Sequence, residues 1–530
     1  MVPENKEASE PSQANTEREG FRMATIYQPL PTKPGADPFD AGFLADVAQG
    51  AVRLTPEQGL ALLERQELFE LGRWADARCR AIHGNDLRTY VIDRNINYTN
   101  ICTAKCIFCA FKRTAEDHDS YTLEYEQLYE KIEELTAVGG TQVLMQGGMN
   151  PELPLDWYID LLHGIKERYP HIHVHGFSPP EFIEFVHFFN PPGKNLEEKL
   201  RWVMIRLRDA GLDSLPGGGG EIFANPVRTK IGLGKCDAEA WLTTMFVAHS
   251  LGMYTSATMM FGHIEGLADR IHHMELVRQW QDKALLDFGA PAFPDFPIDD
   301  PRSRGRKHAD TNTLDRVLTP AAPLDTRLQV GGHYKAFISW PFQRDNTALG
   351  RVKEWGSQPE DREPGAVFPG DAVAVLTGES DPKAHKEFGR RIRLSGSTDY
   401  LRTQAASRLY LDNIYSIGAS WVTMGPHIGQ VGLQFGANDM GSVMMEENVV
   451  SSAGTTYCLD EAVLCKLIRD AGFTPAQRNN TYDILSIKLG DDAPDAKVTD
   501  WSNHRAKRLH VESVPVNAKA ELSISASKDQ

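Results

Sequence analysis

No run of roughly 18 apolar residues occurs in the chain, so no membrane-spanning helix is read from it. The first 22 residues are polar and charged and hold no apolar core followed by a cleavage site, so the protein is expected in the cytoplasm. Dense Lys/Arg tracts are missing as well. With 56 basic against 72 acidic residues the formal charge is −16, which gives no support to binding of nucleic acid or an anionic membrane. Cysteine is scarce and odd in number: seven in 530 residues make no disulfide framework. Cys79, Cys236, Cys458 and Cys465 are scattered and read as plain thiols. What remains is small-molecule chemistry in one large domain with extensions, or in two domains.

The other three cysteines are not scattered. Asn97–Arg113 reads Asn-Tyr-Thr-Asn-Ile-Cys-Thr-Ala-Lys-Cys-Ile-Phe-Cys-Ala-Phe-Lys-Arg and sets Cys102, Cys106 and Cys109 in a C-x3-C-x2-C array. Three thiolates this close can hold one small metal centre. Four would saturate a [4Fe–4S] cluster, whereas three leave one iron without a protein ligand, open to a substrate or cosubstrate. A zinc knuckle would want a fourth Cys or His nearby. The nearest candidate, His118, sits in a polar run with no partner.

Residues 1–40 are rich in Glu, Ser, Gln, Thr and Pro and are expected to form a disordered or loosely attached arm, with Met23 an alternative start. Residues 41–86 read as a helical layer: Thr55-Pro56-Glu57-Gln58 is a helix start, and Leu60, Leu62, Leu63, Leu68 and Leu71 form an apolar stripe. From Thr89 short strands alternate with helices. The strands are expected at Tyr90–Asn95, Thr141–Gln146, His171–Phe177, Ser214–Leu215, Tyr254–Phe261, Ala336–Trp340 and Ala419–Val422. Repeated βα units predict an α/β fold, a TIM-type (β/α) barrel over residues 87–440, with a C-terminal helical region over 441–495 and a flexible tail over 496–530.

In such a barrel the loops after the strands form one rim, and chemistry is built there. Those loops carry Gln146-Gly147-Gly148, Ser178-Pro179-Pro180-Glu181, Gly217–Glu221, Gly262-His263-Ile264-Glu265, Trp340–Gln343 and Trp421–Gly425. Each alone is a turn; together with the cysteine loop they would converge. Two insertions interrupt the rhythm. Residues 285–332 precede a strand and are expected on the far face, as a surface excursion or an oligomer contact, whereas residues 350–393 follow one and are expected to act as a lid or wall at the mouth.

The cysteine spacing, with Phe108 and Ala110-Phe111 beside the last thiol, resembles the signature of the radical S-adenosylmethionine (SAM) superfamily. That resemblance implies a [4Fe–4S] cluster on Cys102, Cys106 and Cys109, with SAM chelating the open iron. It also implies cofactor contacts from Phe108 to adenine and from Gln146, Gly147 and Gly148 to the SAM amino group, although the usual acid after the glycines is Met149 here. Glu221 is placed like the group that binds the SAM ribose, and Glu265 like one near the adenine.

A finer pattern runs through Asp93–Asn100, Met145–Gly148, Phe177–Glu181, Ser214–Gly219, Thr258–His263, Ser339–Gln343 and Gly436–Asp439. It looks like the group containing two menaquinone-pathway enzymes and the deazaflavin F0 synthase subunits. Arg94–Asn100, Trp340–Gln343 with Asn346-Thr347, and Ala419–Thr423 most resemble the cyclic dehypoxanthinyl futalosine synthase family. The resemblance implies that a 5′-deoxyadenosyl radical takes the ribose C4′ hydrogen of dehypoxanthine futalosine, that C4′ joins the benzoate ring, and that a proton and an electron leave. It further implies a small electron-donor protein such as flavodoxin or ferredoxin.

For that chemistry Ser178 and Glu181 are candidate catalytic or proton-handling groups. Gln343, Asn346 and Asn438 are candidates to hold ribose or carboxylate, and Trp340 and Trp421 to wall the ring, with core packing as the alternative for both tryptophans. His171, His173 and His175 alternate along one strand and share a side, as a second metal site or as hydrogen-bonded filler. Asp439, Glu446 and Glu447 form an acidic cluster, read as a solvated face or a functional one. Two other readings stay open: another bond-forming enzyme of the group, such as aminofutalosine synthase or an F0 synthase subunit, and a non-catalytic iron–sulfur electron-transfer protein.

Overall fold

A computed structural model describes residues 27–233, 236–289, 293, 331–376, 382–455, 457–502 and 504. Eleven strands line up in one sheet: β1 (Leu87–Val91), β2 (Asp93–Asn97), β3 (Gln142–Gln146), β4 (His173–Gly176), β5 (Ser214–Leu215), β6 (Tyr254–Phe261), β7 (Tyr334–Pro341), β8 (Ser416–Gly418), β9 (Asp439–Ser442), β10 (Thr474–Arg478) and β11 (Ile484–Ile487). β2 pairs in parallel with β3, each of β3 to β8 with the next, and β9 pairs with β1. Only Ile92 separates β1 from β2, so the sheet returns on itself as a curled, TIM-type parallel barrel. β2 is buried along its whole length, as a strand in a barrel covered by helices must be.

Helices follow the strands as the alternation predicts: α1 (Tyr125–Ala137), α2 (Leu155–Arg168), α3 (Pro179–Phe189), α4 (Leu196–Ala210), α5 (Ala238–Ser250), α6 (Leu267–Phe288) and α7 (Ser397–Tyr410). Ahead of the barrel, Ala41–Gln49, Pro56–Arg65 and Leu68–His83 form the helical layer, and the last of these packs along α7. Pro56–Arg65 starts where Thr55 and Gln58 cap each other reciprocally, with Pro at the first turn.

Several expectations change. The arm is not loose to residue 40: Gln58 Nε2 donates to the Lys33 and Ala36 carbonyls at 3.0 and 3.1 Å, and the Tyr27 hydroxyl donates to Asp282. Residues 1–26 lie outside the described residues, as do 290–292 and 294–330 of the first insertion and most of the tail. The second insertion packs beside the barrel, with Arg393 N donating to His263 O at 2.7 Å and Leu267 N to Asp371 at 3.2 Å. None of the described residues among 350–393 lines the central cavity, so a wall there has no support from them.

The C-terminal region is not wholly helical. β10 runs parallel to β1 and turns into antiparallel β11. Asn480 in the connecting turn donates to Ser214 at 2.7 Å and contacts His173 at 2.7 Å, so the hairpin crosses the end of the barrel where β4 and β5 begin. The strand expected at Ala419–Val422 lies earlier, at Ser416–Gly418, and Trp421–Met424 is a helical turn. Ser420 Oγ donates to the Ser339 carbonyl at 2.6 Å and fixes that change of direction.

Candidate active site

β2 ends in the polar run Asn97–Asn100, whose two asparagines tie the strand's end to β3 and to the loop that follows. Asn97 Nδ2 donates to the Gln146 carbonyl at 3.1 Å, and Asn100 spans the loop from the Asp119 carbonyl (2.9 Å) to the Tyr121 amide (2.8 Å). Cys102 N donates to Arg113 O at 2.9 Å and Arg113 N to Asn100 O at 2.8 Å, closing the base of the loop. At its far side Lys105–Cys106 pairs antiparallel with Gly232–Leu233. The cysteines are therefore held at both ends.

The turn after β3 meets this loop at van der Waals limits. A Cβ on Gly148 would stand 2.1 Å from the Ile101 carbonyl oxygen, and one on Gly147 would stand 2.4 Å from the Tyr98 ring, so only glycine permits the approach. Gly148 N donates to Thr99 O at 2.8 Å. Glu181 completes the junction. Its Oε1 accepts from the Tyr98 hydroxyl (2.6 Å) and the Gly147 amide (3.1 Å), and its Oε2 accepts from the Ser178 amide (2.7 Å) and hydroxyl (2.6 Å). Burial pushes the Glu181 pKa up, and these four hydrogen bonds pull against that rise. Ser178 stands at the start of α3 because Phe177 turns the chain with a positive φ of 58°.

These elements enclose a cavity of about 510 Å³ inside the barrel. Cys102, Cys106, Phe108, Cys109, Gln146, Gly147, Gly148, Ser178, Glu181, Glu221, Trp340, Gln343 and Trp421 all line it. Glu221 reaches it from a backbone with φ of 37°, a left-handed conformation that costs a non-glycine residue energy. Trp421 is buried and donates from Nε1 to the Met440 carbonyl at 2.8 Å, whereas Trp340 is half-buried. Gln343 donates to Pro341 O at 3.0 Å.

Three expected site residues lie elsewhere. Glu265 is 1% exposed and turned into its own loop, where it accepts from the Gly262 and His263 amides (2.7 and 2.9 Å) and pairs with Arg270 at 3.0 Å. Burial alone would raise its pKa, but His263 and Arg270 hold it well below the usual range. Asn346 donates to Ser452 O at 2.9 Å and does not line the cavity. Asn438 immediately precedes β9, which places it at the opposite rim. There it is spent on the Arg408 guanidinium (2.7 Å) and the Ile417 amide (2.8 Å).

The acidic cluster is not a solvated face. Glu446 pairs with Arg94 at 2.7 Å and Lys131 at 2.9 Å, Glu447 accepts from Asn95 at 2.8 Å, and Asp439 takes Arg478 through both oxygens at 2.5 and 2.8 Å. Tyr98 and Arg478 escaped the sequence reading. The x-Tyr-Thr-Asn context of Tyr98 was visible, but its link to Glu181 spans 83 residues; Arg478 lies on the strand that was read as part of a helical region.

The cysteines suit an iron–sulfur cluster. None is in a disulfide. Among the described residues no three His, Cys, Asp or Glu side chains are grouped to hold a single metal ion. A cubane asks for something different, since each thiolate meets its own iron. Three thiols opening on one cavity, opposite backbone kept bare by Gly147 and Gly148, fit it.

Comparison with known proteins agrees with this geometry. The radical SAM superfamily model matches residues 96–277, and the CofH/MqnC C-terminal region model matches residues 381–489. The cyclic dehypoxanthine futalosine synthase of Halalkalibacterium halodurans is 36% identical over 82% of this chain and 92% of its own. That of Streptomyces coelicolor is 31% identical over 84% and 88%. Among solved structures, the [FeFe]-hydrogenase maturase HydG superposes with a TM-score of 0.51 at 12% identity, covering 84% of this chain and 77% of that one, a likeness of fold.

Proposed function

We propose that this chain, which belongs to the radical SAM superfamily and carries the CofH/MqnC C-terminal region, cyclises dehypoxanthine futalosine to cyclic dehypoxanthine futalosine in menaquinone biosynthesis. The carrying observation is the three-cysteine loop opening, across Gly147-Gly148, onto one cavity inside the barrel, lined by Trp340 and Trp421. Enzymes of the superfamily use a [4Fe–4S] cluster and SAM, which together supply a 5′-deoxyadenosyl radical for hydrogen abstraction. The net reaction joins ribose C4′ to the benzoate ring and removes one hydrogen from each.

Cys102, Cys106 and Cys109 would hold the cluster. Phe108, Gln146, Gly147, Gly148 and Glu221 line the cavity beside them and are proposed to hold SAM; Glu221 suits paired ribose hydroxyls because a carboxylate only accepts. Trp340, Trp421, Gln343 and Ser178 are proposed to position the substrate. A carbon radical reacts with whatever it meets, so excluding water and fixing C4′ against the ring should dominate the chemistry. Glu181 fits a positioning role, since both its oxygens are already committed to Tyr98, Gly147 and Ser178. An electron-donor protein of the flavodoxin or ferredoxin type and a cytoplasmic location belong to the same reading; no helix among the described residues is long and apolar enough to cross a membrane.

The test is anaerobic reconstitution with iron and sulfide, then incubation with SAM, dithionite and dehypoxanthine futalosine. The cyclised product is expected with 5′-deoxyadenosine. Formation of 5′-deoxyadenosine without it would keep the superfamily and discard the substrate.

A further inference from the structure

Two of the three alternating histidines meet on one hydroxyl. His175 Nδ1 lies 2.6 Å from Ser214 Oγ, and His173 Nε2 lies 2.6 Å from the same oxygen. Asn480, reaching in from the hairpin turn, stands 2.7 Å from both Ser214 Oγ and His173 Nε2 and holds the group together. His175 lines the cavity and is buried, whereas His173 is the first residue of β4, half-buried at the barrel floor. The line therefore runs from the cavity, at His175, to a half-buried position at the barrel floor, at His173.

We propose that His175, Ser214 and His173 form a proton relay, which takes up the proton lost when the substrate ring regains aromaticity and delivers it through the barrel floor. The proposal rests on the cyclisation reading. After C4′ bonds to the ring, one ring C–H bond must break. Its electron pair enters the π system, one electron departs to a one-electron acceptor of the iron–sulfur or flavin class, and the proton goes to His175 Nε2. His175 passes its Nδ1 hydrogen to Ser214 Oγ, Ser214 passes its own to His173 Nε2, and His173 releases its Nδ1 hydrogen to water.

Of the other carboxylates lining the cavity, Glu181 already accepts four hydrogen bonds, Asp439 is held by Arg478, Asp93 accepts from Gln142 and Ser442, Glu447 accepts from Asn95, and Glu221 is assigned to SAM. Neutral imidazoles are what a relay needs. Burial, with His173 and Arg478 facing it, pushes His175 down to about 3; burial pushes His173 down to about 4, with Asp213 and Lys166 opposing one another beside it.

The experiment compares the reconstituted wild type with Ser214→Ala and His173→Gln, reading cyclised product per 5′-deoxyadenosine, the D2O solvent isotope effect and rescue by added imidazole. The expected result is a fall in that ratio of about tenfold or more in both variants, partly restored by imidazole. An unchanged ratio overturns the relay, including when both products fall together, because that marks only a structural role. If Ser214→Ala fails to fold, His173→Gln decides alone. A wild type that cleaves SAM but gives no cyclised product overturns the cyclisation reading, and the relay with it.

Discussion

The Tyr98 hydroxyl donates to Oε1 of Glu181 across 2.6 Å, and the same oxygen takes the Gly147 amide. One carboxylate thus ties the strand that bears the cysteine loop to the glycine turn facing it. Glu181→Gln must present an NH2 where two donors already point. An unmatched buried donor costs about 1–3 kcal/mol, so a lowered Tm is expected together with weaker SAM cleavage. Calorimetry and 5′-deoxyadenosine assays check this, and an unchanged variant would remove Glu181 from the junction.

Gly148→Ala should disturb the cysteine loop itself. Its new Cβ would stand 2.1 Å from the Ile101 carbonyl, which is backbone and can yield only by moving the segment that leads to Cys102. Iron bound per chain after reconstitution is expected to drop, with the fold retained by circular dichroism.

Cys106→Ala should abolish both the visible absorption of the reconstituted cluster and SAM cleavage. Retained SAM cleavage would refute the three-cysteine site.

Arg478→Met should leave Asp439 buried beside Asp93 without its cation. Breaking one side of a buried pair costs roughly 3–5 kcal/mol. Urea unfolding is expected to show that loss, and adding Asp439→Asn should recover part of it.

Acid should weaken the fold through its buried histidines. Burial pushes His249 down to about 3. Its folded pKa is thus depressed, so the unfolded chain takes up the proton first as pH falls below about 6.5, and stability is lost progressively from there towards pH 3. From pH 7 to pH 5 this one residue accounts for about 2 kcal/mol. His249→Gln should flatten the curve by that amount in denaturant titrations at the two pH values.

Local signals were legible wherever one stretch of chain carried the whole message. The C-x3-C-x2-C array, the Thr55 cap and the glycines after β3 each act within a few residues, and the structure places them as read. Glu265 and Asn346 show the limit, since a carboxylate or amide at a strand end can turn into its own loop or to a distant carbonyl as well as to a ligand. Asn438 has another reason: β9, which it immediately precedes, is only four residues long and largely polar, so nothing in the sequence marks that strand or the end of the barrel where Asn438 lies. The hairpin of β10 and β11 was hidden by Pro475 and by a half-exposed second strand.

β1 is the first barrel strand to be synthesised, and both its neighbours are among the last. Thr89 must find Asp439 across 350 residues, and Leu87 pairs with Thr474. On the ribosome the cysteine loop would therefore emerge and remain beside an unfinished wall while most of the chain is still being made. Closures of such long sequence separation come late and slowly. Cluster loading into a finished cavity has to wait for the C-terminal strands, and a stalled or truncated chain would leave three reactive thiols exposed.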